Sequence, residues 1–151
     1  MSSDRGISSL IVGVIVIIIL AYTMNTLFRP QPPTLEVKDF SLNPNNIKAG
    51  EIATLEFNIK SNDEDKSHFL RVEFESHTLV VFRLGSENLP IENGKWYFTT
   101  TVNPSATIVQ PIHVRAALAS GVAEIKYGIT VNFFVDGNQF ESRKTELTVK
   151  W

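Results

Sequence analysis

The chain of 151 residues contains no cysteine. That excludes a disulfide framework, a thiolate zinc site and a cysteine nucleophile. A basic excess is lacking as well. Lys and Arg number 14 against 16 Asp and Glu, a net charge of -2, so the charge balance does not point to nucleic acid. His68, His77 and His113 are the three histidines, too scattered for a local metal motif. Ser76 beside His77 is no triad, because neighbouring strand residues point to opposite faces. There is no GxSxG, no phosphate-cradling glycine loop and no HExxH. Asn62, Asp63 and Asp65 resemble the opening of a calcium loop, but the glycine and distal glutamate of a helical calcium hand are missing. The stretch reads as a solvated turn. An Asn-x-Ser/Thr acceptor is also absent, since Asn103-Pro104-Ser105 is blocked by its proline. The expectation is a protein that is not an enzyme and takes no metal, cofactor, nucleic acid or small-molecule substrate.

A long apolar run is present. Residues 7–28, ISSLIVGVIVIIILAYTMNTLF, carry no charge between Arg5 and Arg29. At about 1.5 Å per residue such a helix spans about 33 Å, enough for a hydrocarbon core of about 30 Å. The dense part, Leu10 to Leu20, is almost all Ile, Val and Leu. β-branching lowers helix propensity in water, but in lipid a helix satisfies its own backbone. Tyr22 near one end suits the interface. A cleaved signal has an apolar core of about 7–15 residues and a small-residue site. This run is longer, and Ala21-Tyr22-Thr23 is a poor site, so a retained anchor is expected. The reading is a tail at 1–6, a transmembrane helix at 7–28 and a spacer at 29–33, where Pro30, Pro32 and Pro33 favour stiff extended chain. Arg5 and Arg29 nearly balance the positive-inside rule. The short tail sets the expectation of an inside N-terminus, with residues 34–151 in the extracytoplasmic space. Arg5-Gly6 before an apolar helix also resembles the processing site of type IV pilin-like precursors. The alternative is therefore a filament subunit processed after Gly6.

Residues 34–151 alternate with period two and show no convincing helical stripe. Ala53, Leu55, Phe57 and Ile59 alternate with Thr54, Glu56, Asn58 and Lys60. Leu70, Val72 and Phe74 alternate with Arg71, Glu73 and Glu75. Trp96, Phe98, Thr100 and Val102 form one face, with Ile112, Val114, Ala116 and Leu118 on the next strand. Pro111 fits a strand start. Ile125, Tyr127, Ile129, Val131, Phe133 and Val135 are six alternate apolar positions, and Asp136-Gly137 then signals a hairpin. A last strand carries Leu147, Val149 and Trp151 on one face. Asn43-Pro44-Asn45-Asn46 reads as a break and Leu84 to Gly94 as a connection. The count is seven or eight strands, best buried as an immunoglobulin-like antiparallel β-sandwich.

Four residues stand out as candidates for partner binding. A sandwich has one inner face per sheet, so consecutive large apolar residues must split between core and water. Phe134 should point outward if Phe133 points inward. By the same offset Phe69, Val81 and Tyr97 should face out. A contiguous patch of such residues marks a partner surface, and open sheet edges offer strand addition as a second route.

The layout of tail, anchor, spacer and lone β domain resembles the archaellum accessory proteins FlaF and FlaG, with Arg5-Gly6-Ile7-Ser8-Ser9-Leu10-Ile11 as the nearest local likeness. The stretch from Leu42-Asn43-Pro44 to Lys48-Ala49-Gly50-Glu51 is similar to the opening of many extracellular β-sandwich modules. The resemblance implies a membrane-anchored stator of archaeal motility. Its β-sandwich would bind the S-layer protein or a sister accessory protein and hold the rotary motor against its own torque.

Overall fold

A computed structural model of the protein describes residues 33–151. The expected tail, membrane helix and all of the spacer except Pro33 lie outside the described residues. Eleven strands follow one another: β1 Leu35–Asn43, β2 Asn46–Lys48, β3 Ile52–Ser61, β4 His68–Glu75, β5 Val80–Leu84, β6 Glu87–Asn88, β7 Ile91–Glu92, β8 Lys95–Val102, β9 Thr107–Ala116, β10 Glu124–Val135 and β11 Asn138–Lys150. No helix occurs among the described residues. The eight longer strands agree with the expected count of seven or eight, and β5 among them falls on a short apolar run and not on an alternating stretch. β2 begins at Asn46, the last residue of the segment read as a break, and runs on past it to Lys48, while β6 and β7 fall in the segment read as a connection. Each has only two or three residues, too few to show a period.

Two sheets result. One has the order β1-β3-β9-β5-β6, the other β2-β11-β10-β4-β8-β7. β2 pairs with the end of β11 in parallel, which corrects the expectation of a wholly antiparallel sandwich. The chain reaches this edge because Asn43-Pro44-Asn45 carries it from β1 in one sheet to β2 in the other. Thr148 N–H then donates to the Asn45 carbonyl at 2.8 Å.

The period-two residues fill the space between the sheets. Phe57 and Phe82 come from the five-stranded sheet, Phe74 and Phe133 from the other, and all four are fully buried. Their rings form a chain: Phe133 edge-on to Phe57 at 5.4 Å, Phe57 to Phe74 at 6.4 Å, and Phe74 stacked on Phe82 at 5.1 Å. Burying each such ring stabilises the fold by about 1.5–3 kcal/mol. Tyr127 joins the core, and its hydroxyl donates to the Ala117 carbonyl at 2.7 Å, so its polar end is not stranded.

Two terminal readings need correction. Pro111 sits inside β9, opposite Glu56, and not at a strand start. It is tolerated because β5 pairs only with His113 to Ala116, leaving Pro111 where β9 has a single partner strand. Trp151 does not continue the inner face of Leu147 and Val149. It lies past β11 and is 73% exposed.

Candidate functional site

The outer face of the six-stranded sheet gathers most of the candidate residues. Leu70, Val72 and Phe74 point into the core, so Phe69, Arg71, Glu73 and Glu75 of β4 point out. On β10 the buried Phe133 is followed by the half-buried Phe134, as the offset argument requires. Phe134 pairs with Arg71, which places Phe69 diagonally next to it. Tyr97 of β8 pairs with Glu73, and the Arg71 guanidinium lies over the Tyr97 ring at 4.3 Å. Phe69, Tyr97 and Phe134 therefore share one face with Arg71 between them. Phe69 is the most open of the three, at 51% exposed. Val81 is not part of this group. It lies on β5, in the other sheet, opposite Arg115.

Sequence reasoning missed the polar chain that crosses this face. Ser142 on β11 donates to Asn132 Oδ1 at 2.8 Å, and Asn132 Nδ2 donates to Glu75 at 2.8 Å. Lys95 bridges Glu75 at 2.8 Å and Glu73 at 3.5 Å. Arg71 Nε donates to Glu73 at 2.9 Å, and its Nη2 to Glu92 on β7. The links touch five strands, β11, β10, β4, β8 and β7, in one run. An exposed ion pair alone is worth only about 0–1 kcal/mol. Charges linked into a network are the case in which such pairs do contribute. No local motif announces it, because its members are brought together by register alone.

A second cluster stands at the end of the sandwich where the described chain begins. His68 opens β4, and its Nδ1 is 2.7 Å from Asp136 Oδ2 while its Nε2 is 2.9 Å from Asp63 Oδ2. Ionised carboxylates only accept hydrogen bonds, so contact on both ring nitrogens requires both to carry protons. The arrangement thus favours an imidazolium. The Asp136 and then the Asp63 carboxylate raise the His68 pKa above its ordinary value. Asp63 is lowered to about 2, chiefly by the Asp65 backbone N–H and then by His68. Asp136 is lowered by His68 and by the Phe69 N–H.

This bracket joins separate segments. Asp63 lies in the β3–β4 loop, where its Oδ1 accepts from the Asp65 and Lys66 N–H groups at 2.9 and 3.1 Å. The Asp63 carbonyl accepts from the Ser105 N–H in the β8–β9 turn at 2.8 Å. Asp136 forms the β10–β11 turn with Gly137, both at positive φ, a conformation that suits Asp-Gly. It exchanges hydrogen bonds with the Phe69 backbone at 2.9 Å in each direction. Beside the loop, Asn62 Nδ2 donates to the Pro33 carbonyl and its N–H to the Thr34 carbonyl, both at 2.9 Å. The chain's entry into the domain is therefore pinned to the same loop. The loop read as a solvated turn is a turn, with a bridging role that its sequence does not show. Asp63 and His68 are five residues apart, but Asp136 arrives from 68 residues away. Among the described residues no group of three or more His, Cys, Asp or Glu is arranged to hold a metal ion.

No protein-family model matches the chain, and no curated protein matches it. Solved structures do. A lipoprotein from Bacteroides thetaiotaomicron is similar with a TM-score of 0.52 at 10% identity, over 79% of this chain and 81% of that one. The alkylpurine DNA glycosylase AlkC of Pseudomonas fluorescens is similar with a TM-score of 0.50 at 13% identity, over 78% of this chain but only 31% of that one. A type II cohesin domain from the cellulosome of Acetivibrio cellulolyticus reaches a TM-score of 0.46 at 12% identity. At such identities the likeness concerns the fold alone.

Proposed function

We propose that the protein is a non-catalytic structural head of a cell-envelope assembly, gripping a protein partner by the outer face of its six-stranded sheet. The observation that carries this reading is the continuous polar run from Ser142 to Glu92 with Phe69, Tyr97 and Phe134 set into it. A braced sheet face with an open aromatic suits holding another protein under load. The pinned entry at Pro33 suits a head that passes force to whatever precedes it. The order of the strands, with β1 in one sheet and β2 at the edge of the other, supports an immunoglobulin-like description of the sandwich.

With a helix at 7–28 as a membrane anchor, N-terminus inside, this head stands in the extracytoplasmic space. The resemblance in layout to FlaF and FlaG then makes it an archaellum stator that binds the S-layer protein or a sister accessory protein. The test is co-purification of the full chain from solubilised envelope, with Phe69→Ala and Tyr97→Ala variants beside it. Recovery of S-layer or archaellar protein by the wild type, and its loss in the variants, is expected. Recovery of neither protein defeats the reading. Mass spectrometry of the native N-terminus separates the alternative, since a chain starting at Ile7 is a processed filament subunit.

A further inference from the structure

We propose that the outer face of the five-stranded sheet, where β5 meets β9, docks an extended acidic segment of another protein, one with an aliphatic residue followed by carboxylates at alternate positions. This goes beyond the reading above, because it concerns the opposite sheet and holds whatever the envelope partner is.

Three rows of side chains define the face. Ile52, Arg115 and Val81 form one row across β3, β9 and β5. Thr54, His113 and Arg83 form the next. Beyond Arg115 in the other direction, Ala117 N–H donates to the Leu79 carbonyl, extending the surface by a third row. Leu79, Val81, Ala116, Ala117, Gly50 and Arg115 line a shallow depression of about 300 Å³ there. Ile52, 48% exposed, stands on the other side of Arg115 from Val81.

Arg115 is held beside this depression. Gly50 sits at φ +84°, which only glycine adopts without strain, and donates its N–H to the Ala116 carbonyl at 3.0 Å. A Cβ placed on Gly50 would lie 3.5 Å from Arg115 Nη2, so the guanidinium rests against the turn. Neither Arg115 nor Arg83 has an ion-pair partner among the described residues, and neither has His113. Arg83 spends one nitrogen on the Ser86 carbonyl, while its Nε is shielded and unpartnered. The nearest acids by register do not neutralise the rows. Glu51 is turned back to the Lys48 N–H at 2.9 Å, Glu56 stands one row further on beside Pro111, and Glu87 pairs with Leu84 on the edge.

The charge pattern chooses the occupant. Setting aside Asp4, Arg5 and Arg29, the remaining chain carries 12 basic and 15 acidic residues. An acidic partner is repelled by most of this domain and drawn to the one face with unpaired guanidinium groups. Guanidinium grips carboxylate with two parallel hydrogen bonds. Rows on one face of a sheet repeat about every 6.6–6.8 Å, the same repeat as alternate residues of an extended peptide. A segment laid along β9 therefore sets an aliphatic side chain over Leu79 and Ala117, a carboxylate on Arg115 and the next one between His113 and Arg83. The aliphatic requirement separates a protein segment from a bare polyanion.

The probe is a labelled synthetic peptide with a valine and two glutamates at alternate positions, titrated against the full chain by fluorescence anisotropy at low salt. Saturable binding is expected, weakened about tenfold by Arg115→Glu and several-fold by Arg83→Ala, and unchanged by Phe69→Ala. A peptide with lysines for glutamates should not bind, and one with the glutamates adjacent should bind several-fold more weakly. Arg115→Gln serves beside Arg115→Glu, with circular dichroism to confirm that both fold. Equal binding by wild type and both Arg115 variants overturns the proposal. So does equal binding of the lysine peptide, or binding of inorganic polyphosphate or heparin without binding of the acidic peptide.

Discussion

The two outer faces of the sandwich solve the problem of surface charge in opposite ways. On the six-stranded sheet Arg71, Glu73, Glu75, Lys95 and Glu92 are paired with one another, and Arg71 also covers Tyr97. On the five-stranded sheet Arg83 and Arg115 stand on neighbouring rows and form no ion pair among the described residues. Same residue type, same kind of strand, same core behind: only the cross-strand neighbours differ. A paired face is finished electrostatically and offers rigidity and an aromatic. An unpaired face keeps a field available to something else.

The sharpest break in this comparison comes from the core on which both faces rest. Phe133 and Phe134 are adjacent in sequence, yet one is fully buried and edge-on to Phe57 while the other lies on the outer face. Phe133→Ala removes a ring that ties the two sheets together and should cost about 3–5 kcal/mol. Phe134→Ala should cost less than about 1 kcal/mol. Urea unfolding of the two variants checks both. Comparable losses would mean that the face assignment of β10 is wrong, and with it the docking surface on that sheet.

A middle-sized effect separates the arginines. Arg71→Ala gives up a contact with Tyr97 and two carboxylate partners, and it leaves the half-buried Glu73 with Lys95 alone. The expected loss is about 1–2 kcal/mol. Arg115→Ala removes no ion pair and should change stability by less than about 0.5 kcal/mol. If Arg115→Ala proves as damaging as Arg71→Ala, the guanidinium is a structural element and the five-stranded face is not free.

Alternation made most of the long strands and the core readable, because a side chain every second residue is a local property of the chain. Phe69, Tyr97 and Phe134 were likewise readable as outward-facing, from offsets of one residue. What those residues touch was not. That Tyr97 lies under Arg71, and that Val81 belongs to another surface altogether, depends on strand order and register. β2, β6 and β7 were hidden by their brevity, and Pro111 by a sheet edge that only the topology reveals. The bracket at His68 was the least legible feature. One of its carboxylates comes from a hairpin turn whose sequence, Asp136-Gly137, is fully explained by the turn itself.

The smallest expected effect concerns that bracket, and its sign follows from the two kinds of group. His68 is raised in the folded protein, so its contribution is fully present below the ordinary histidine value of about 6.5 and is lost as pH rises through the higher folded value. Asp63 and Asp136 are lowered, so theirs is present above the ordinary aspartate value of about 3.9 and is lost as pH falls, for Asp63 through about 2. Stability should therefore show a plateau between about pH 4 and 6.5, sloping gently on either side. The slopes are gentle because Asp136 is half exposed and water screens it. His68→Gln should remove the alkaline slope and shrink the acidic one, since its neutral amide donates to one carboxylate only. Thermal melting across pH 2–9 for both proteins reads the difference. An alkaline slope that survives in His68→Gln would show that His68 is not the group responsible. A neutral His68 holds one carboxylate and faces the other with a lone pair.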